Sequence, residues 1–177
     1  LSFVITMVFA MSQAVTIRVG HAVGLQDERS VRYSYHAGIL LSTFCILFVT
    51  LGFVLIPEIF VRLDIHNAAE KQLIHQASAL LSICGILLIF DNFRIVGFGA
   101  LRGLKDTRFS MYASLFSFWF VALVMSYILG FHFHFGGKGI WYGLVIGIAA
   151  GAFIVFLRMR YILKRLDLKK VMGIPSP

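Results

Sequence analysis

The sequence predicts an all-α integral membrane protein, a bundle of about five transmembrane helices, and three observations carry that prediction. Hydrophobic residues make up 59% of the chain and the mean hydropathy is +0.89, well beyond the roughly 45 to 50% apolar content of soluble domains. The apolar residues gather into five long segments separated by short polar stretches. Lys and Arg are shared unevenly between alternate loops, as they are around membrane spans.

The five segments are residues 1–17, 37–56, 77–101, 110–130 and 139–157. The last four are long enough to cross a hydrocarbon core, which takes about 20 apolar residues. The first falls short before it meets Arg18. The chain also opens on Leu1, with neither a basic n-region nor a small-residue cleavage site to make a signal peptide, so a fragment of a longer protein is expected. The second segment ends at Pro57. The fifth carries Gly139, Gly143, Gly147 and Gly151 every four residues, a bare stripe that lets helix backbones approach inside a membrane. Gly20 with Gly24, and Gly99 with Gly103, repeat the spacing. Tight packing within the chain is expected of this stripe, in preference to a dimer seam. Cys45 and Cys84 lie inside apolar segments without a CxxC motif and read as packing residues.

The charge pattern orients the spans. Arg29, Arg32, Arg102, Lys105, Arg108, Arg158, Arg160, Lys164, Arg165, Lys169 and Lys170 fall on one side, and Arg62, Lys71 and Lys138 on the other. Eleven against three puts the first side, and the C-terminus, in the cytoplasm. Residues 1–159 then form the transmembrane part and 160–177 a basic cytoplasmic tail, which either lies along the anionic inner leaflet or is a solvated helix end. The net charge of +8 sits at span ends and not on a face interleaved with aromatics, so no nucleic-acid partner is expected.

Asp91 is the acid that falls inside an apolar segment; Asp27, Glu28, Glu58, Asp64, Glu70, Asp106 and Asp167 lie between or beyond them. A charge at the centre of a membrane helix costs about 2.5 to 3.5 kcal/mol on insertion scales, and such residues usually line a cavity or pathway. Arg94 follows at i+3, where it either pairs with Asp91 or snorkels away. Asp91 is therefore either a functional carboxylate or one half of a pair that fastens two helices. Gln13, Ser12, Thr16 and Asn92 are polar residues within spans that contact a cation or substrate, or else bond neighbouring helices. Phe90, Phe93, Phe98, Phe116 and Trp119 line an apolar cavity or face lipid. His132 and His134, alternating with Phe131, Phe133 and Phe135, fall short of a zinc ligand set and read as an interfacial belt, so no metal or organic cofactor is expected. His21, His36, His66 and His75 read as interfacial too.

Several stretches carry a family resemblance. Ile17-Arg18-Val19-Gly20-His21-Ala22-Val23-Gly24 with Asp27 resembles the turn after the eighth helix of NorM-type multidrug and toxic compound extrusion (MATE) transporters. Gly99-Ala100-Leu101-Arg102-Gly103-Leu104-Lys105-Asp106-Thr107-Arg108 resembles the link between that family's helices ten and eleven. Tyr127-Ile128-Leu129-Gly130, Gly137-Lys138-Gly139-Ile140-Trp141-Tyr142-Gly143 and Arg158-Met159-Arg160 follow in order.

The resemblance implies a MATE-type bundle, about helices 8 to 12 of the C-terminal lobe, that needs the preceding helices of the same transporter. It implies secondary active export of small hydrophobic, often cationic organic compounds by antiport with Na+ or H+. It also implies a coupling-cation role for Asp91, which stands ten residues before Leu101 of the Leu-Arg-Gly motif. Three departures go with it. The family's cation site also uses a Glu of the seventh helix, outside this chain. Leu87 replaces an aromatic hydroxyl, and Val124 and Ser126 replace Pro and Gly. The rival readings are a membrane enzyme, for which no nucleophile with a base and no paired acids are found, a truncated non-transporting remnant or assembly protein, and a flippase for lipid-linked sugars.

Overall fold

In the computed structural model, residues 2–55 and 71–164 are described, and they form five helices. These are α1 (Ser2–Gly24), α2 (Glu28–Leu55), α3 (Lys71–Gly103), α4 (Thr107–His132) and α5 (Gly136–Lys164). Each contains a stretch long and apolar enough to cross a membrane, α1 included, with 21 residues from Val4 to Gly24. That corrects the reading of the first segment as too short. Arg18 does not end the helix, because its exposed side chain leaves the backbone free to continue through Val19 to Gly24. The outer end at Pro57, Arg62, His66 and the tail beyond Lys164 lie outside the described residues.

α3 is the central helix. It packs against α1, α2 and α5, while α1 and α2 pack on each other and α4 lies along α5. The buried stripe of α1, Val4, Val8, Ser12, Val15 and Val19, recurs at three- and four-residue steps, as one helix face requires. It meets Leu88, Ile95 and Leu101 of α3 in the core. Gly99 and Gly103 make this approach close, since a Cβ on Gly99 would stand 2.5 Å from the Ser12 carbonyl oxygen and one on Gly103 2.9 Å from that of Thr16. Phe44, Phe48, Trp119, Phe120 and Phe131 face outward, where lipid tails accept them without cost.

The glycine stripe of α5 packs on α4 within the chain. Gly139 faces Leu129 and Gly130, Gly143 faces Ser126, Gly147 faces Ala122 and Gly151 faces Ser117. The stripe steps by four on α5, whereas its partners step back by four, four and then five. The extra residue falls in Phe116–Ala122, where α4 winds in wider π turns; a second such stretch covers Ile128–His132 and ends with Phe133 N–H donating to the Ile128 carbonyl at 3.0 Å. Ser117 Oγ donates to the Gly147 carbonyl and Ser126 Oγ to that of Ile140, at 2.5 and 3.0 Å.

The turns after α1 and α3 are built alike. Gln26 and Lys105 take positive φ, 57° and 61°. Asp27 N–H donates to the Ala22 carbonyl at 3.1 Å and Asp106 N–H to that of Leu101 at 2.9 Å, the Schellman pattern that terminates helices. The two aspartates then diverge. Asp27 Oδ1 accepts from the N–H groups of Arg29 and Ser30 at 3.0 and 3.2 Å and caps α2. Hydrogen bonds from Ser30, then Arg29, hold the Asp27 carboxyl below the usual carboxylate range. Asp106 Oδ2 instead accepts from Arg158 Nε of α5 at 2.9 Å, tying the α3–α4 turn to the last helix.

Candidate functional site

Asp91 lies midway along the span of α3 that runs from Leu80 to Gly103. Among the described residues it is the one acid away from a span end. Arg94, almost one helical turn on, reaches back to it: Nε and Nη2 both donate to Asp91 Oδ1, the first at 2.9 Å. The side chains are 15% and 12% exposed. Asp91 Oδ2 has no hydrogen-bond partner among the described residues. The guanidinium also lies over two rings, 4.9 Å from the centroid of Phe118 on α4 and 5.6 Å from that of Phe98. Arg94 therefore pairs inward and does not snorkel to the span end.

A cavity of about 300 Å3 opens beside Arg94. Arg94, Phe98 and Arg102 of α3, Phe9 of α1, and Ser110 and Ser114 of α4 line it. Arg102 Nη2 donates to Ser12 Oγ at 3.1 Å, and Ser12 Oγ in turn donates to the Ile95 carbonyl at 2.8 Å. Thr16 Oγ1 lies 2.9 Å from the carbonyls of both Ser12 and Gly99. Ser12 and Thr16 thus bond the backbone of the neighbouring helix.

The other candidates are dispersed. Asn92, one residue from the acid, is turned about 100° around the helix towards α2, where it is 1% exposed and its Nδ2 donates to Thr43 Oγ1 at 3.3 Å. Its Oδ1 is buried with no hydrogen-bond partner among the described residues. Gln13 is exposed on α1, turned away from Ser12 and from α3. Of the aromatics, Phe98 lines the cavity, while Phe116 and Trp119 are exposed. Two contacts escaped sequence reasoning: the Arg158–Asp106 pair and the place of Arg102 at the cavity. The repeated Gly-Leu-x-Asp after α1 and α3 was the signal for the first, since it puts an acid at the same point of two turns.

Five helices long and apolar enough to cross a membrane, with an ion-paired carboxylate at mid-span of one of them, define a multi-span integral membrane protein that keeps a charge inside its bundle. The MatE family profile matches residues 1–128, and the chain belongs to that family. It is 38% identical over 160 residues to "Multidrug resistance protein NorM" of Burkholderia vietnamiensis, covering 88% of this chain and 34% of that protein. It is 32% identical over 162 residues to "Probable multidrug resistance protein NorM" of Brucella suis, covering 90% of this chain and 34% of that protein. In fold it resembles a solved inward-facing multidrug resistance MATE family transporter of the MOP superfamily, with a TM-score of 0.84 at 21% identity over 96% of this chain and 38% of that one. The eukaryotic MATE transporter AtDTX14 gives the same TM-score at 18% identity, over 96% of this chain and 36% of that one. The chain spans about a third of the length of these relatives.

Proposed function

We propose that the full-length protein containing this chain exports small hydrophobic, often cationic organic compounds by antiport with Na+ or H+, and that Asp91 binds the coupling cation. The observation that carries this reading is the mid-span carboxylate with one oxygen held by Arg94 and the other without a hydrogen-bond partner among the described residues. Family membership and the multidrug resistance names of relatives support the substrate class. Arg94 is the partner of Asp91 when no cation is bound, and a cation entering at Oδ2 competes with the guanidinium for the same carboxylate. Arg94 can then rest over Phe118 and Phe98, whose rings receive a cation released from its acid. Each charge carried inward is driven by about 2.3 kcal/mol per 100 mV.

On this reading residues 1–159 are part of a C-terminal lobe completed by preceding helices, and 160–177 are a basic tail. The Lys and Arg asymmetry supports a cytoplasmic C-terminal end of α5. The bacterial sources of the relatives favour a bacterial inner membrane. Dye efflux from cells expressing the full-length protein, compared with Asp91→Asn across Na+ concentrations and pH, tests the proposal. Loss of ion-dependent efflux at normal expression is the expected result. Active efflux with unchanged ion dependence refutes it.

A further inference from the structure

A second cavity, of about 270 Å3, lies between α2 and α5, both of which pack on α3. Arg32 and His36 border it from α2, and Arg160 and Lys164 from α5. None of these four makes a hydrogen bond or ion pair among the described residues, in contrast to Arg94, Arg102 and Arg158. Arg32, Arg160 and Lys164 gather around one concavity with no carboxylate among its described lining residues, and like charges repel one another until an anion neutralises them. The walls below are apolar. On α5, Phe156 stands one turn inward of Arg160, and buried Leu163 also lines the cavity. On α2 the row that begins with Arg32 and His36 continues at four-residue steps through Leu40, Phe44 and Phe48, which are 75%, 73% and 78% exposed. Both helices therefore present cations at the end of a span and apolar side chains along it, the profile of a phospholipid standing in its leaflet.

We infer that this cavity binds the headgroup phosphate of an anionic phospholipid whose acyl chains lie along Leu40, Phe44 and Phe156. The three cationic side chains, Arg32, Arg160 and Lys164, favour a lipid with net negative charge over a zwitterionic one, whose own amine would meet them. The site is independent of Asp91 and of the transport cycle, so its test does not rest on either.

Purified full-length protein in detergent micelles, titrated with dioleoyl phosphatidylglycerol and with dioleoyl phosphatidylcholine and read by native mass spectrometry, tests the site. Wild type is expected to hold phosphatidylglycerol more tightly than phosphatidylcholine. The double variant Arg32→Gln/Arg160→Gln is expected to weaken phosphatidylglycerol about 30-fold, roughly fivefold for each cation removed from an anionic headgroup, and to leave phosphatidylcholine unchanged. Arg32→Lys/Arg160→Lys, which keeps the charge, is expected to retain most of the affinity. Lys105→Gln/Arg108→Gln, an equal loss of charge elsewhere, is expected to retain it too. Equal binding of the two lipids by wild type, or an equal loss in the Lys105/Arg108 variant, overturns the site. Displacement of phosphatidylglycerol by equimolar glycerol phosphate overturns the lipid assignment in favour of a free anion.

Discussion

Asp91 and Arg94 are expected to be strongly coupled, and the coupling is measurable by a double-mutant cycle on Asp91→Asn and Arg94→Gln. At the 2.9 Å separation of Nε and Oδ1, unit charges attract by roughly 6 kcal/mol at an effective dielectric of about 20 and by about 1.4 kcal/mol in bulk water. With side chains only 12% and 15% exposed, the pair is far from the water limit, but desolvation of both charges offsets much of the attraction. Exposed helical pairs give about 0.3 to 0.5 kcal/mol. A coupling energy of about 2 kcal/mol, near 30-fold in the folding equilibrium, follows for this intermediate case. The two single variants should differ. Without Asp91, the guanidinium keeps its rings at 4.9 and 5.6 Å, each worth about 0.5 to 1 kcal/mol. Without Arg94, the carboxylate has no other partner among the described residues, so Arg94→Gln is the costlier change. Denaturation of full-length protein in micelles supplies the four stabilities. Additivity of the two substitutions within about 0.5 kcal/mol, or a costlier Asp91→Asn, refutes the reasoning.

Gly143→Ala drives a Cβ into the Ser126 backbone and is expected to cost about 1 to 3 kcal/mol. Gly20→Ala meets nothing nearer than the Gly103 carbonyl at 3.9 Å and is expected to be neutral or to stabilise by up to about 1 kcal/mol; thermal midpoints in detergent compare the two. Asn92→Leu replaces a buried, half-satisfied amide, so it is expected to hold or raise stability and to leave efflux unchanged, and a loss of efflux would assign the amide to the transport site. Asp27→Ala removes the cap of α2. Because the folded carboxyl titrates below its unfolded value near 3.8, its stabilisation is full at neutral pH and is lost as pH falls through the folded value. Wild type and variant melting midpoints should therefore differ at pH 7 and converge as pH falls below 3.8 and through the folded value.

The spans were legible in the sequence because membrane burial writes itself as length and composition, which need no partner to interpret. The end of α1 was not. A rule that stops a span at the first charge fails where an arginine stem lies along lipid and lifts its head to the surface, as Arg18 allows. The close seams were legible for a related reason. A glycine every fourth residue states that something approaches, although only the fold shows that α4 is what approaches α5. The paired turns show the opposite limit. Asp27 and Asp106 follow the same Gly-Leu-x pattern, yet one caps a helix and the other holds Arg158 of the last helix, a difference that lies in the packing around each turn.

The candidate site divides along the same line, since the charge was visible and its surroundings were not. What the fold adds is a mechanical link between the glycine seam and the ion pair. A Cβ on Gly151 would stand 3.0 Å from Arg94 Cδ and 2.6 Å from Ser117 Oγ, so this last glycine of the stripe makes room for the arginine stem as well as for α4. The extra residue in Phe116–Ala122 restores the register that brings Ser117 onto the stripe. It thereby also sets the direction of the next residue, Phe118, whose ring covers the guanidinium at 4.9 Å. An α-helical turn there would rotate the two positions by about 100° relative to the rest of α4, leaving Arg94 with Asp91 but without that ring. The wide turn and the stripe, which by composition alone look like packing devices, therefore determine where Arg94 rests, and through it how firmly Asp91 is held.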